Sequence, residues 1–215
     1  EKGIAFDEAK NVQLSQATPV AYHIGVTHSI AVLTGANSGG KTTLMELLAQ
    51  VQLLTQMGFG VPAENAQVGV VNQLYYFSKS KGTLSAGAFE TMLKEFAKLA
   101  KEREIPKLVL ADEIESVTEP DVAARIIKGM LAQLSRHTQT TTLLVTHVGR
   151  ELQKLATPAR FDGIEAKGLD EKFNLVVERN PCIGKIARST PQLIIERLAQ
   201  TKKDRFYAEL LQEIA

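Results

Sequence analysis

What the chain is short of narrows the field first. It has one cysteine, Cys182. An internal disulfide is therefore excluded, and a reducing, cytoplasmic setting fits. A lone Cys beside Pro181 reads as incidental. No apolar run approaches the ~20 residues that a membrane span needs. A basic excess is missing too, since 25 Lys and Arg stand against 24 Asp and Glu. Nucleic-acid-binding modules normally carry a basic stripe, so contacts with DNA or RNA phosphates are expected outside this segment. There is no internal repeat and no low-complexity stretch. Glu1-Lys2-Gly3 is neither a signal peptide nor a native initiator. The expectation is a domain excised from a longer protein.

What remains is a chain of 215 residues, 44% hydrophobic, enough to bury the core of one domain with a small appendage. Its most informative stretch is Gly35-Ala36-Asn37-Ser38-Gly39-Gly40-Lys41-Thr42, a match to G-x-x-x-x-G-K-[ST]. In that pattern backbone N–H groups wrap nucleotide phosphates, the lysine reaches the β/γ oxygens and the last hydroxyl ligates Mg²⁺. Context strengthens the match. Ile30–Leu33 reads as a buried strand just upstream. Downstream, Leu44, Leu47, Leu48, Val51 and Leu54 keep helical spacing until Gly58.

Further strands are expected at Leu74–Phe77, Leu108–Ala111 and Thr142–Val145, with β-rich, irregular chain over residues 1–30. Two helices fall between these strands. One carries Phe89, Leu93, Phe96, Ala97 and Ala100 on its apolar stripe. The other, capped by Thr118-Glu119-Pro120-Asp121, places Val122, Ile126, Ile127, Met130, Leu131 and Leu134 on its inner face. Alternating strands and helices predict an α/β fold with a largely parallel sheet flanked by helices. After Pro158 a hairpin (Phe161–Ala166 with Phe173–Glu178) and two short helices from Pro191 are expected. The domain reading is 1–180 for the core and 181–215 for a helical extension suited to dimerisation.

Other residues sit where a nucleotide hydrolase needs them. Asp112 and Glu113 end a hydrophobic strand, and ligands of open α/β sheets bind at that end. Asp112 would hold Mg²⁺ through water, while Glu113 would orient and polarise the attacking water. His147 follows another strand, where it can contact the γ-phosphate or position that water. Leu84-Ser85-Ala86-Gly87 opens a helix whose N-terminus can take an anion, including the nucleotide of a second subunit; an ordinary N-cap is the simpler alternative. Thr118–Asp121 could lie at the same subunit boundary. Tyr22 stands upstream at a distance suited to a base, although a core role explains it more simply.

Together these residues resemble the ATPase domain of the MutS family, a branch of the ABC ATPases acting in DNA mismatch repair and recombination. Thr34-Gly35-Ala36-Asn37-Ser38-Gly39-Gly40-Lys41-Thr42-Thr43 is similar to that family's T-G-P-N-x-G-G-K-S-T. Val61-Pro62-Ala63, Asp112-Glu113-Ile114, Thr146-His147, Gly184–Arg188 and Pro191–Ala199 extend the likeness over residues 25–200. Only 43 positions separate Lys41 from Leu84, too few for the insertions of transport ABC domains or SMC-like proteins. Ser85-Ala86-Gly87-Ala88-Phe89-Glu90 replaces the family's S-T-F-x-x-E, and Glu115-Ser116-Val117 replaces its G-R-G. A divergent MutS-like branch is implied. The resemblance also implies a homodimer that sandwiches ATP and Mg²⁺ between phosphate loop and partner signature, and DNA held by domains outside this chain. A non-repair ABC-type ATPase acting on protein partners and a small-molecule kinase are the alternatives. Glu113 beside Asp112 favours water over a substrate hydroxyl as acceptor.

Overall fold

Five parallel strands lie side by side in the order Gln73–Phe77 (β5), Lys107–Asp112 (β6), Thr140–Val145 (β7), Ile30–Gly35 (β3) and Arg160–Ile164 (β8). This is seen in a computed structural model describing residues 2–36, 39–78, 86–114, 119–169, 175–187, 194–195, 198–199 and 205–214. Parallel strands need helical crossovers that cover both faces, so their sequences run continuously apolar. Accordingly, every residue of β6 and β7 is buried. Alternate side chains then serve opposite layers. Ala31, Leu33, Leu108, Leu110, Leu143 and Val145 join one core, whereas Val32, Val109, Ala111 and Leu144 join the other.

The first core is closed by helix α1 (Lys41–Gln56) through Leu44, Leu47, Leu48 and Val51, and by a small antiparallel sheet. That sheet orders β2 (Val20–Ile24), β1 (Ile4–Ala9) and β4 (Asn65–Val68). The second core holds helices α2 (Ala86–Lys101), α3 (Pro120–Leu134) and α4 (Gly149–Lys154). Beyond them come a β9–β10 hairpin (Ala166–Leu169 with Leu175–Val177) and helix α5 (Arg205–Ile214). Among the described residues no helix is long and apolar enough to cross a membrane.

The α/β architecture agrees with the sequence reading, with three local corrections. Phe161–Ala166 is not a hairpin arm, because Arg160–Ile164 pairs parallel with β3 and extends the main sheet. The hairpin begins only at Ala166. Val122 is 44% exposed, since the buried stripe of α3 runs through Ala123, Ile127, Met130 and Leu134. On α2 the buried positions are Met92, Phe96 and Leu99, while Ala97 faces outward. Tyr22 takes the core role that the sequence reading preferred for it, 3% exposed with its hydroxyl on Asp162. Helix α3 opens at Glu119 with Pro120 at its first turn; Thr118 lies outside the described residues.

The segment after the hairpin is tied to the sheet. Cys182 and Gly163 exchange both backbone hydrogen bonds. Gly184 N–H donates to Asp162 Oδ1 at 2.9 Å, and Ala187 N–H to Thr34 Oγ1 at 3.0 Å. Thr34 in turn donates to the Asp162 carbonyl. Asp162, fully buried, is held by Arg160 Nη2 at 2.8 Å and Tyr22 at 2.7 Å. One buried ion pair therefore joins β2, β3, β8 and the Gly184–Ala187 stretch.

Candidate functional site

All five strands of the main sheet point their carboxyl ends to one edge, the usual ligand-binding edge of such sheets. Register makes three of those ends level, because Val145 lies opposite both Leu33 and Asp112. From this edge project the glycine loop after β3, the acids ending β6 and the Thr146-His147 turn after β7.

The glycines of the loop have steric reasons. A Cβ on Gly39 would lie 2.8 Å from the Ala36 carbonyl, and Gly40 has φ +95°. Left-handed backbone at that φ favours glycine. Gly40 occupies the N-cap of α1, which has no side-chain cap, so the helix dipole and early N–H groups face the loop. Lys41 is 3% exposed, and its Nζ donates to the carbonyls of Gly35 at 2.8 Å and Ala36 at 3.0 Å. Its ammonium is thus held inside the curl of the loop. Asn37 and Ser38 lie outside the described residues. Side chains at Gly39 or Gly40 would meet the Ala36 carbonyl or the Arg179 guanidinium, so the described part of the loop admits only glycine at these two positions.

Thr42 Oγ1 donates to Asp112 Oδ2 at 2.8 Å, across 70 residues of sequence. This bond puts a hydroxyl and a carboxylate at one point. Among the described residues no three His, Cys, Asp or Glu side chains converge. A metal at Thr42 and Asp112 would need water and phosphate oxygens to complete its shell, which suits Mg²⁺ better than Zn²⁺. Thr43 lies one residue along, its carbonyl accepting from Asn11 Nδ2.

Glu113 has φ +45°, left-handed backbone in a residue with a side chain, which costs on the order of 1–3 kcal/mol. Its N–H bonds to the Val145 carbonyl at 2.9 Å, fixing the turn at the strand end. His147 is set by a second tight turn, in which Thr146 Oγ1 accepts from Val148 N–H. The two turns deliver His147 Nε2 to 2.5 Å from Glu113 Oε1. The sequence placed both residues at strand ends; it did not foresee that they touch.

Two neighbours escaped the sequence reading. Burial, with help from the charges of Glu46 and Asp112, raises the Tyr76 phenol to about 12, so it remains protonated beside the acids. Arg179, just past β10, donates to the Gly39 carbonyl at 3.3 Å. Tyr76 has only its place on β5 as a signal, and Arg179 has none in the local pattern. Gly87 is exposed near the start of α2, its carbonyl accepting from Thr91. Ser85 falls outside the described residues.

Fold and site together define an α/β protein whose candidate centre lies at the carboxyl edge of a parallel sheet. Residues 31–177 match MutS domain V. The chain belongs to the MutS family. It is 44% identical over 209 residues to the DNA-binding protein MutS2 of Pyrococcus furiosus, covering 93% of this chain and 37% of that protein. Identity to the endonuclease MutS2 of Caldicellulosiruptor saccharolyticus is 28% over 141 residues, 64% of this chain and 18% of the relative. Against the DNA mismatch repair protein MutS of Synechococcus elongatus it is 28% over 166 residues, 73% and 19% respectively. The chain therefore spans little more than a third of the first of these relatives and less than a fifth of the other two.

Proposed function

We propose that this chain is the ATP-binding and ATP-hydrolysing part of a MutS-like DNA repair or recombination protein. The observation that carries the reading is the Thr42–Asp112 hydrogen bond, which joins glycine loop and strand-end acid at one point. Gly35, Asn37, Ser38, Gly39, Gly40 and Thr43 would supply loop N–H groups to the phosphates, with Lys41 on the β/γ oxygens. Thr42 directly, and Asp112 through water, would hold Mg²⁺, which when bound neutralises charge on the transferred phosphoryl group. Glu113 would orient the attacking water and draw on its proton. His147, in contact with Glu113, would fix that carboxylate or reach the γ-phosphate.

Residues 1–180 would form the ATPase unit, and 181–215 an extension contributing to a homodimer. In that dimer each nucleotide would meet the loop of one copy and the Ser85–Gly87 helix start of the other. Loss of the γ-phosphate removes cross-dimer contacts and biases an open–closed equilibrium. With basic and acidic residues nearly balanced, DNA would be gripped by parts outside this segment, in a cytoplasmic setting.

The test titrates the intact parent protein against homoduplex, single-mismatch duplex and four-way junction at one salt concentration, with and without ATP·Mg²⁺. Tighter binding to one structure, altered by ATP, is expected and would identify the branch. Equal weak binding to all three, indifferent to ATP, would overturn the DNA role in favour of an ATPase that acts on protein partners.

A further inference from the structure

Arg179 and Lys41 reach different carbonyls of the glycine loop. Lys41 donates to the carbonyls of Gly35 and Ala36, whereas Arg179 donates to the Gly39 carbonyl. Its Nη1 lies 3.1 Å from where a Cβ on Gly40 would stand, so glycine at position 40 makes room for the guanidinium. The backbone on either side is anchored. Glu178 N–H donates to the Glu165 carbonyl at 2.8 Å, and Asn180 Oδ1 accepts from Ala21 N–H at 2.8 Å. The Glu178 side chain is paired with Lys167, which lowers its pKa through that hydrogen bond first. The hairpin thus presents Arg179 from a braced position.

The same guanidinium lines a cavity of about 120 Å³ between the loop and residues 11–20. Leu14, Val20, Leu44 and Leu47 give its wall an apolar part, and Asn11 and Thr43 a polar one. Gly39, Gly40 and Thr43 line the cavity together with Arg179, so a ligand continuing from the loop into it would meet Arg179. A guanidinium offers several donors in a fixed fork matched to phosphate oxygens.

We propose that Arg179 is a nucleotide-binding residue acting in cis, holding the phosphate nearest the sugar. The proposal rests on the nucleotide-binding reading above. It separates two duties, Lys41 for the terminal phosphates and Arg179 for the phosphate that ATP, ADP and AMP share. A domain built so retains ADP after hydrolysis, because the Arg179 contact does not depend on the γ-phosphate.

The test measures equilibrium binding of a fluorescent ADP to the full-length protein, with unlabelled ATP, ADP and AMP as competitors, for wild type, R179A and R179K. Loss of a hydrogen bond to a charged group predicts Kd about tenfold or more higher in R179A for all three nucleotides. R179K, which keeps a charge without the fork, should recover part of the affinity. Thermal unfolding without nucleotide checks that each variant folds, and R179K carries the test if R179A does not. An unchanged Kd in a folded variant would overturn the proposal, as would weakening confined to ATP. Wild-type protein that binds no nucleotide would instead overturn the functional reading, and this inference with it.

Discussion

Single side chains at the sheet edge make separable predictions. Lys41 is buried in the loop curl, so Lys41→Ala should weaken ATP binding and abolish turnover; ATPase assays and nucleotide titration check both. Glu113→Gln keeps shape and hydrogen bonding but removes the proton-accepting charge. It should bind ATP normally and hydrolyse it roughly 10²-fold or more slowly, measured in single turnover. His137 predicts a pH effect far from the site. Its Nε2–H donates to the Ala100 carbonyl, and its Nδ1 lies 3.3 Å from Thr140 Oγ1. Burial first, then the charge of Lys107, lowers its pKa below the ordinary 6.5. The unfolded chain therefore binds this proton more readily. The contribution of His137 is full above about pH 6.5 and is lost as pH falls through its lowered folded value. Denaturant melts at pH 8 and pH 5.5 should show wild type losing more stability than His137→Gln.

At the scale of elements, close approach replaces side-chain bulk. A Cβ on Gly149, at the start of α4, would sit 2.3 Å from Thr34 Cγ2 on β3. Gly149→Ala should cost about 1–3 kcal/mol by overpacking. Adding Thr34→Ser removes the clashing methyl but keeps the hydroxyl that serves Asp162 and Ala187, so the double variant should recover much of that loss. Urea melts of the four proteins form the cycle. Asp162→Ala should be costlier, about 3–5 kcal/mol, because it strands the buried Arg160. The same elements mark what a reader of the sequence can and cannot see. The β3–loop–α1 unit was legible because strand, glycines and helix period are local and consecutive. Strand β4, Asn65-Ala-Gln-Val, is only four residues long with Val68 its one bulky apolar side chain, and it exists through its pairing with β1. Helix α4 is six residues, too short for a period to register. Strand β8 is hidden from the sequence because it carries Asp162 in the core, and only Arg160 two residues before it, with the distant Tyr22 and Gly184, makes that residue tolerable there. Of the candidate site, residue types were readable, and the Glu113–His147 contact was not, since adjacency of β6 and β7 is a property of the sheet.

For the whole molecule, association is the decisive behaviour. The sandwich reading predicts that Glu113→Gln, given saturating ATP·Mg²⁺, sediments as a dimer; a monomer under those conditions would refute the sandwich. The strand order carries a different consequence. The glycine loop hangs from β3, yet the two neighbours of β3 are β7 and β8, more than a hundred residues later in the chain. During synthesis the loop's sequence emerges more than a hundred residues ahead of Thr140–Val145, the first of its two pairing partners, and Arg160–Ile164 follows later still. Closing such long loops is entropically slow, and parallel pairing of distant strands delays folding. The nucleotide-binding apparatus should therefore be among the last parts of this domain to form, and a nascent chain halted before residue 140 should gain no protection from proteolysis on addition of ATP.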